Sequence, residues 1–227
     1  MAAGLGLAAL LLYLSTPIHR IFGDGSTLIL LHSASDLGQA VYIHALYLPL
    51  ARALGQVLAL VGLVRSPAET LLLLSQLSGA LAISMSFLVL RGFSIERTAA
   101  AVTCMLVAVS PPVWFFADTI EVHAPHFAAV TTLAALTLFG PWRRPVLATL
   151  LVAAGLPALF LTHQSGLLLF PGWVLLVQVG RRRVAPAFSA RTLVLGIAPA
   201  FVAALGAALW CNASLRGISL GESLHAT

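Results

Sequence analysis

Residues 68–90 carry no charged side chain beyond Glu69, and this run sets the terms for the rest of the chain. It is long enough to cross the roughly 30 Å hydrocarbon core of a bilayer as one helix. Similar apolar runs occupy residues 2–17, 98–115, 127–140, 146–180 and 192–211. In lipid every backbone N–H and C=O must find its partner inside the segment, so such runs become helices or closed barrels. The period-two alternation of a barrel is absent, and the chain is expected to be all-α and polytopic. Only 8% of its 227 residues are charged, against about 25% in a soluble domain.

The twelve basic residues are all arginine. Arg91, Arg97, Arg143, Arg144, Arg181, Arg182, Arg183 and Arg191 sit in short loops between apolar runs. Residues 146–180 are too long for one span and suit a tight pair broken at Thr162-His163-Gln164. Residues 27–64 are interrupted by His32, Asp36, Gln39, His44, Pro49, Arg52 and Gln56, and read as interfacial helices. About seven transmembrane helices then form a single domain over residues 1–227. Residues 23–64 make a first outer loop, with interfacial helices, and residues 116–126 a second. All eight loop arginines fall on one side, which the positive-inside rule makes cytoplasmic. The arginines are scattered through short loops, which excludes a nucleic-acid interface. Residues 1–22 lack a basic leader, so they read as the first membrane helix rather than a cleavable signal. Cys104 and Cys211 lie inside apolar runs and read as small core residues.

The acidic and histidine residues fall on the opposite side. Asp24 stands between Gly23 and Gly25, in a turn that exposes its carboxylate. Asp118, Glu121, His123 and His126 crowd into Ala-Asp-Thr-Ile-Glu-Val-His-Ala-Pro-His-Phe, residues 117–127, and His163-Gln164 follow the fifth span. Ionisable groups at a membrane helix end mark a functional site by default. A competing explanation for two of them is structural: Asp118-Thr-Ile-Glu121 has the form of a helix-capping box.

This plan resembles the GT-C membrane glycosyltransferases, and within them the protein O-mannosyltransferase-like branch with its bacterial members. The residues that carry the resemblance are Gly23-Asp24-Gly25-Ser26, His44-Ala-Leu-Tyr47-Leu-Pro-Leu-Ala-Arg52, Ile120-Glu121-Val122-His123-Ala124 and the stretch from Gly155 to His163-Gln164. Together they span roughly residues 5–179. The chain departs from the branch in having Ser26 and Thr27 where a second acid often follows the first, and His44-Ala45 in place of a proline-rich helix entry. It is also short for the family, as a fragment or a minimal form would be.

The resemblance implies transfer of a sugar from a polyprenyl-phosphate-linked donor to a protein or glycan acceptor. The reaction would take place on the extracytoplasmic face of a bacterial inner membrane. Asp24 would be the catalytic base and Glu121 would orient the acceptor. Asp118, His123, His126, His163, Gln164, Arg20 and Arg52 would bind substrate, with His163, Gln164, Arg20 and Arg52 doing so through phosphate oxygens. Structural alternatives are a turn-forming aspartate, water-satisfied polar turns, and arginines snorkelling at the interface. Glu121, His123 and His126 offer oxygen and nitrogen donors, but no metal or other cofactor is expected. Two other classes are a small-molecule transporter and a non-catalytic polytopic membrane protein. Transport calls for polar groups at mid-membrane and repeated halves. Neither is visible beyond scattered residues such as Ser75, Gln76, Ser78 and Ser84.

Overall fold

Among the described residues the longest helix is α4, Pro67–Gly92. Its start is fixed locally. Ser66 accepts the Glu69 amide through its hydroxyl, Glu69 reaches back to the Ser66 amide at 2.9 Å, and Pro67 occupies the first turn. This reciprocal cap satisfies donors that a helix N-terminus leaves unpaired. The computed structural model describes residues 1–16, 18, 23–33, 46–63, 65–140 and 145–184, with scattered positions between 198 and 213.

Ahead of α4 come α1 (Ala2–Ser15), α2 (Gly25–Ser33) and α3 (Tyr47–Leu60). After it come α5 (Arg97–Ala108), α6 (Pro111–Ala117), α7 (His123–Phe139), α8 (Pro145–Thr162), a 3₁₀ turn (Gln164–Leu169) and α9 (Phe170–Val184). α1, α2, α3, α5, α6 and α7 pack against α4, while α8 and α9 pack against α7. The described residues are all helix, turn or coil, with no strand among them. The all-α expectation therefore holds for them.

The described helices do not support seven spans. Among the described residues, α4 alone is long and apolar enough to cross by itself. The pair α5–α6 passes the same criterion together but is bent by 64°. The span expected over residues 98–115 is thus two helices with a sharp bend between them. Pro111 and Pro112 supply no backbone N–H to continue α5 and instead open α6. α1, α3, residues 153–162 of α8 and residues 170–180 of α9 are apolar but shorter. The expected span over residues 192–211, and the polar tail behind it, lie outside the continuously described residues.

Three apolar clusters hold the helices. Ala9, Tyr13, Ile83, Phe87, Ala100, Cys104, Ala108 and Ala117 join α1, α4, α5 and α6. Leu133, Ala148, Leu156, Leu159, Trp173 and Val177 join α7, α8 and α9. The third joins α2, α3 and α4 to Ile120 and Val122, with Leu28, Tyr47, Leu48 and Leu71 at its centre. Gly79 lets α1 and α6 approach α4 closely: a Cβ there would lie 2.8 Å from the Ala117 methyl and 3.0 Å from the Tyr13 ring.

Residues 146–180, expected as a tight pair of spans, hold two helices, α8 and α9, broken at His163, and each packs against α7. Residues 27–64 contain two separate helices, α2 and α3, and the segment between them lies outside the described residues. The Leu46 amide donates to the Leu161 carbonyl at 3.1 Å, tying the start of α3 to the end of α8.

Candidate functional site

The capping box expected at Asp118–Glu121 does not form. Asp118 ends α6, and α7 begins only at His123, with Val122 as its N-cap and no side-chain cap. Four residues, Asp118 to Glu121, are left as a loop between two helices, and neither carboxylate is occupied by capping α7.

Glu121 instead turns toward the Gly23-Asp24 turn. Gly23 has φ of +51°, a conformation in which glycine alone is unstrained. A Cβ at Gly23 would collide with Oε1 of Glu121. The Glu121 carboxylate is reached by the backbone N–H groups of Val122 and Asp24. Burial raises its pKa above the usual carboxylate value; His123 opposes that shift and the Asp24 charge adds to it. The two acids are therefore close enough to sense each other, although 97 positions apart in sequence. Asp24 is exposed, and its carbonyl accepts the Leu28 amide at 2.9 Å to begin α2.

A histidine group borders this pair. His123 and His126 share the first turn of α7, and the His163 ring lies against both, with centroids 5.5 and 5.2 Å away. The Ser165 backbone N–H donates to Nδ1 of His163 at 3.1 Å, and the Ser165 hydroxyl is 2.7 Å from the same atom. The neutral ring therefore carries its proton on Nε2. Burial, and then the neighbouring His123, lower the His163 pKa below the usual histidine value, so the neutral donor form dominates near pH 7. Nδ1 of His126 is 2.9 Å from the Thr162 hydroxyl. Among the described residues no three His, Cys, Asp or Glu side chains are arranged to hold a metal ion.

Beside His123 opens a cavity of about 180 Å³. Its walls are Gly79 of α4, Pro112, Val113 and Phe116 of α6, and Ala124 and Phe127 of α7. His123 is the one ionisable residue lining it, and its ring lies 4.6 Å from that of Phe116.

The remaining expected site residues fall elsewhere. Asp118 is fully buried, so it does not face a substrate. Its Oδ1 accepts Gln76 Nε2 at 3.2 Å and its Oδ2 lies 3.2 Å from the Thr16 hydroxyl. Burial pushes its pKa up to about 6, against the two hydrogen bonds. Arg52 donates to the Leu31 carbonyl at 3.2 Å, tying α3 to the last turn of α2. Arg20 and the Gln164 side chain lie outside the described residues, as do Asp36, Gln39, His44 and Asn212. The expectation passed over Ser75 and Gln76, adjacent on α4. Ser75 Oγ lies 3.4 Å from the Glu121 carbonyl while Gln76 holds Asp118. The signal was available, since a glutamine inside an apolar span must find a partner. Tyr47 was also missed: its hydroxyl is buried beside Ser75 and lacks a well-formed hydrogen bond.

Fold and site together define an all-helical chain with an acid pair, a histidine group and an apolar cavity gathered where α2, α4, α6, α7 and α8 meet. Comparison with protein-family models gives no match, and neither do comparisons with curated proteins and with solved structures.

Proposed function

We propose that the chain is a multi-pass membrane glycosyltransferase of the GT-C kind, similar to the protein O-mannosyltransferase-like branch. It would move a sugar from a polyprenyl-phosphate donor to a protein or glycan hydroxyl on the extracytoplasmic face. The observation that carries this reading is the convergence of Asp24, from the loop after α1, on Glu121, from the loop before α7, beside three histidines and an apolar cavity.

Each part has a task in such a transfer. Asp24 is the exposed carboxylate and takes the proton of the attacking hydroxyl. That oxygen bonds to the anomeric carbon as the bond from this carbon to the phosphate oxygen breaks, and the lipid phosphate departs with the electron pair. Nε2–H of His163, with His123 and His126 alongside, offers donors to the departing phosphate. Glu121 holds the Asp24 turn in place and faces the acceptor. The cavity walled by Phe116 and Phe127 suits the first apolar units of the donor, leaving its phosphate near His123. In the seven-span arrangement α1, α4, α5–α6, α7, α8, α9 and residues 192–211 cross, while α2 and α3 lie along the outer surface.

The deciding experiment incubates detergent-purified protein with labelled polyprenyl-phosphate sugars and follows loss of lipid-linked label. Label loss that requires Asp24 supports the reading. No loss with any sugar tested, from protein with intact helical content, returns the chain to the class of non-catalytic membrane proteins.

A further inference from the structure

We propose that Asp118, with Thr16 and Gln76, is a positioning device that ties the end of α1 to the base of the loop carrying Glu121 and so sets the approach of Asp24 to Glu121. This rests on the reading above for its catalytic consequence, though not for the contact itself.

Two short chain segments meet twice. Thr16 meets Asp118 through side chains, and seven residues later Gly23 and Asp24 meet Glu121. Asp118 and Glu121 stand in the same loop between α6 and α7, so holding Asp118 against α1 and α4 also fixes the base from which Glu121 reaches Gly23 and Asp24. The first contact is well buttressed. Trp114 Nε1 donates to the Thr16 hydroxyl at 3.0 Å, and the same Gln76 amide that holds Asp118 is 3.1 Å from the Tyr13 carbonyl. Tyr13 in turn donates to the Ala108 carbonyl at 3.2 Å, where α5 ends. One carboxylate thus joins α1, α4 and the α5–α6 bend.

Burial also argues for a purpose. A fully buried carboxylate is costly unless hydrogen-bonded, and an apolar residue would fill the same space without that cost. Asp118 bonds in two directions at once, one oxygen toward α4 and the other toward α1. Asparagine can reproduce this: its Oδ1 accepts from Gln76 and its amide donates to the Thr16 oxygen. Alanine cannot, and valine at Thr16 removes the α1 side while leaving a side chain of similar shape at an exposed position.

The test compares Thr16→Val, Asp118→Ala and Asp118→Asn with the wild-type full chain in detergent. Amide hydrogen exchange is read at Asp24 and Leu28, and turnover of labelled polyprenyl-phosphate mannose is read as kcat and KM. Thr16→Val, which removes the contacts of this hydroxyl with Asp118, Trp114 and the Leu12 carbonyl together, should speed Asp24 exchange by at least about five- to tenfold, the opening-equilibrium equivalent of one lost hydrogen bond. It should lower kcat by about 10–10²-fold with KM nearly unchanged, because the base is displaced and the donor site is not. Asp118→Ala should change both in the same direction, and Asp118→Asn should leave both near wild type. Wild-type exchange at Asp24 in folded Thr16→Val protein would overturn the proposal whatever the activity. Faster exchange with unchanged kcat overturns the positioning role. Faster exchange in a protein that transfers no sugar even as wild type supports the tie and defeats the glycosyltransfer reading instead.

Discussion

The Glu121 carboxylate lies over Gly23 and within reach of the Asp24 backbone N–H, so the two acids that bracket α2 to α6 in sequence meet in space. This places a backbone contact and a charge–charge contact between the same two residues. The N–H favours an ionised Glu121, while the neighbouring Asp24 charge disfavours it. The proposed roles, Asp24 as base and Glu121 as holder, go with a difference in exposure: Asp24 is open to solvent and Glu121 is half-buried.

The first prediction separates those two roles. Asp24→Asn keeps size and turn propensity but removes the proton acceptor, so transfer should fall by about 10²–10⁴-fold. Glu121→Gln keeps an acceptor for the Asp24 amide and loses the charge, so it should impair turnover less. Normal turnover in both folded variants, measured as loss of lipid-linked label, would remove the mechanism.

The second concerns Gly23. Alanine there must adopt a positive φ, which costs about 1–2 kcal/mol, and its methyl collides with Glu121. Gly23→Ala should lower the detergent melting temperature, and Gly23→Ala combined with Glu121→Ala should recover part of that loss. Equal melting temperatures for Gly23→Ala and wild type would show that Glu121 does not cover the turn.

The third follows from Asp118. Its pKa is near 6 in the folded chain and 3.8 in the reference state. Between those values the folded state binds more protons, so this group's contribution to stability is present below pH about 4 and is lost as pH rises through about 6. Glu121, also raised, acts with the same sign. His163, lowered, acts oppositely as pH falls below its usual value. Asp118→Asn should therefore flatten the fall in melting temperature between pH 4 and 7 relative to wild type. Parallel curves would mean that Asp118 titrates in the folded chain as it does in the unfolded one.

A fourth tests orientation. Ser26, Ser66 and Ser94 are exposed. Cysteines at Ser26 and Ser66 should react with a membrane-impermeant thiol reagent in intact cells, and one at Ser94, in the loop after α4, should not. Opposite behaviour of Ser26 and Ser66 would defeat the interfacial placement of α2 and α3.

Much of the helical plan was legible in the chain. Glycine and proline punctuation fixed the start of α4 at Pro67, and His163 marked the break between α8 and α9. These are local effects of backbone chemistry, and the sequence states them directly. It also singled out Asp24, Glu121, His123 and His163, because ionisable groups stand out against apolar runs. Asp118 was a different matter. Its spacing to Glu121 fits a capping box, yet packing of Gly79 against Ala117 brings α6 onto α4 and hands the carboxylate to Gln76 and Thr16. A capping pattern states what hydrogen bonds are available. Which ones form depends on what the neighbouring helices bring within 3 Å. The burial of Asp118 and the meeting of Asp24 with Glu121 depend on contacts between residues far apart in the chain. Periodicity and local propensity carry no information about such contacts; only the packed helices decide them.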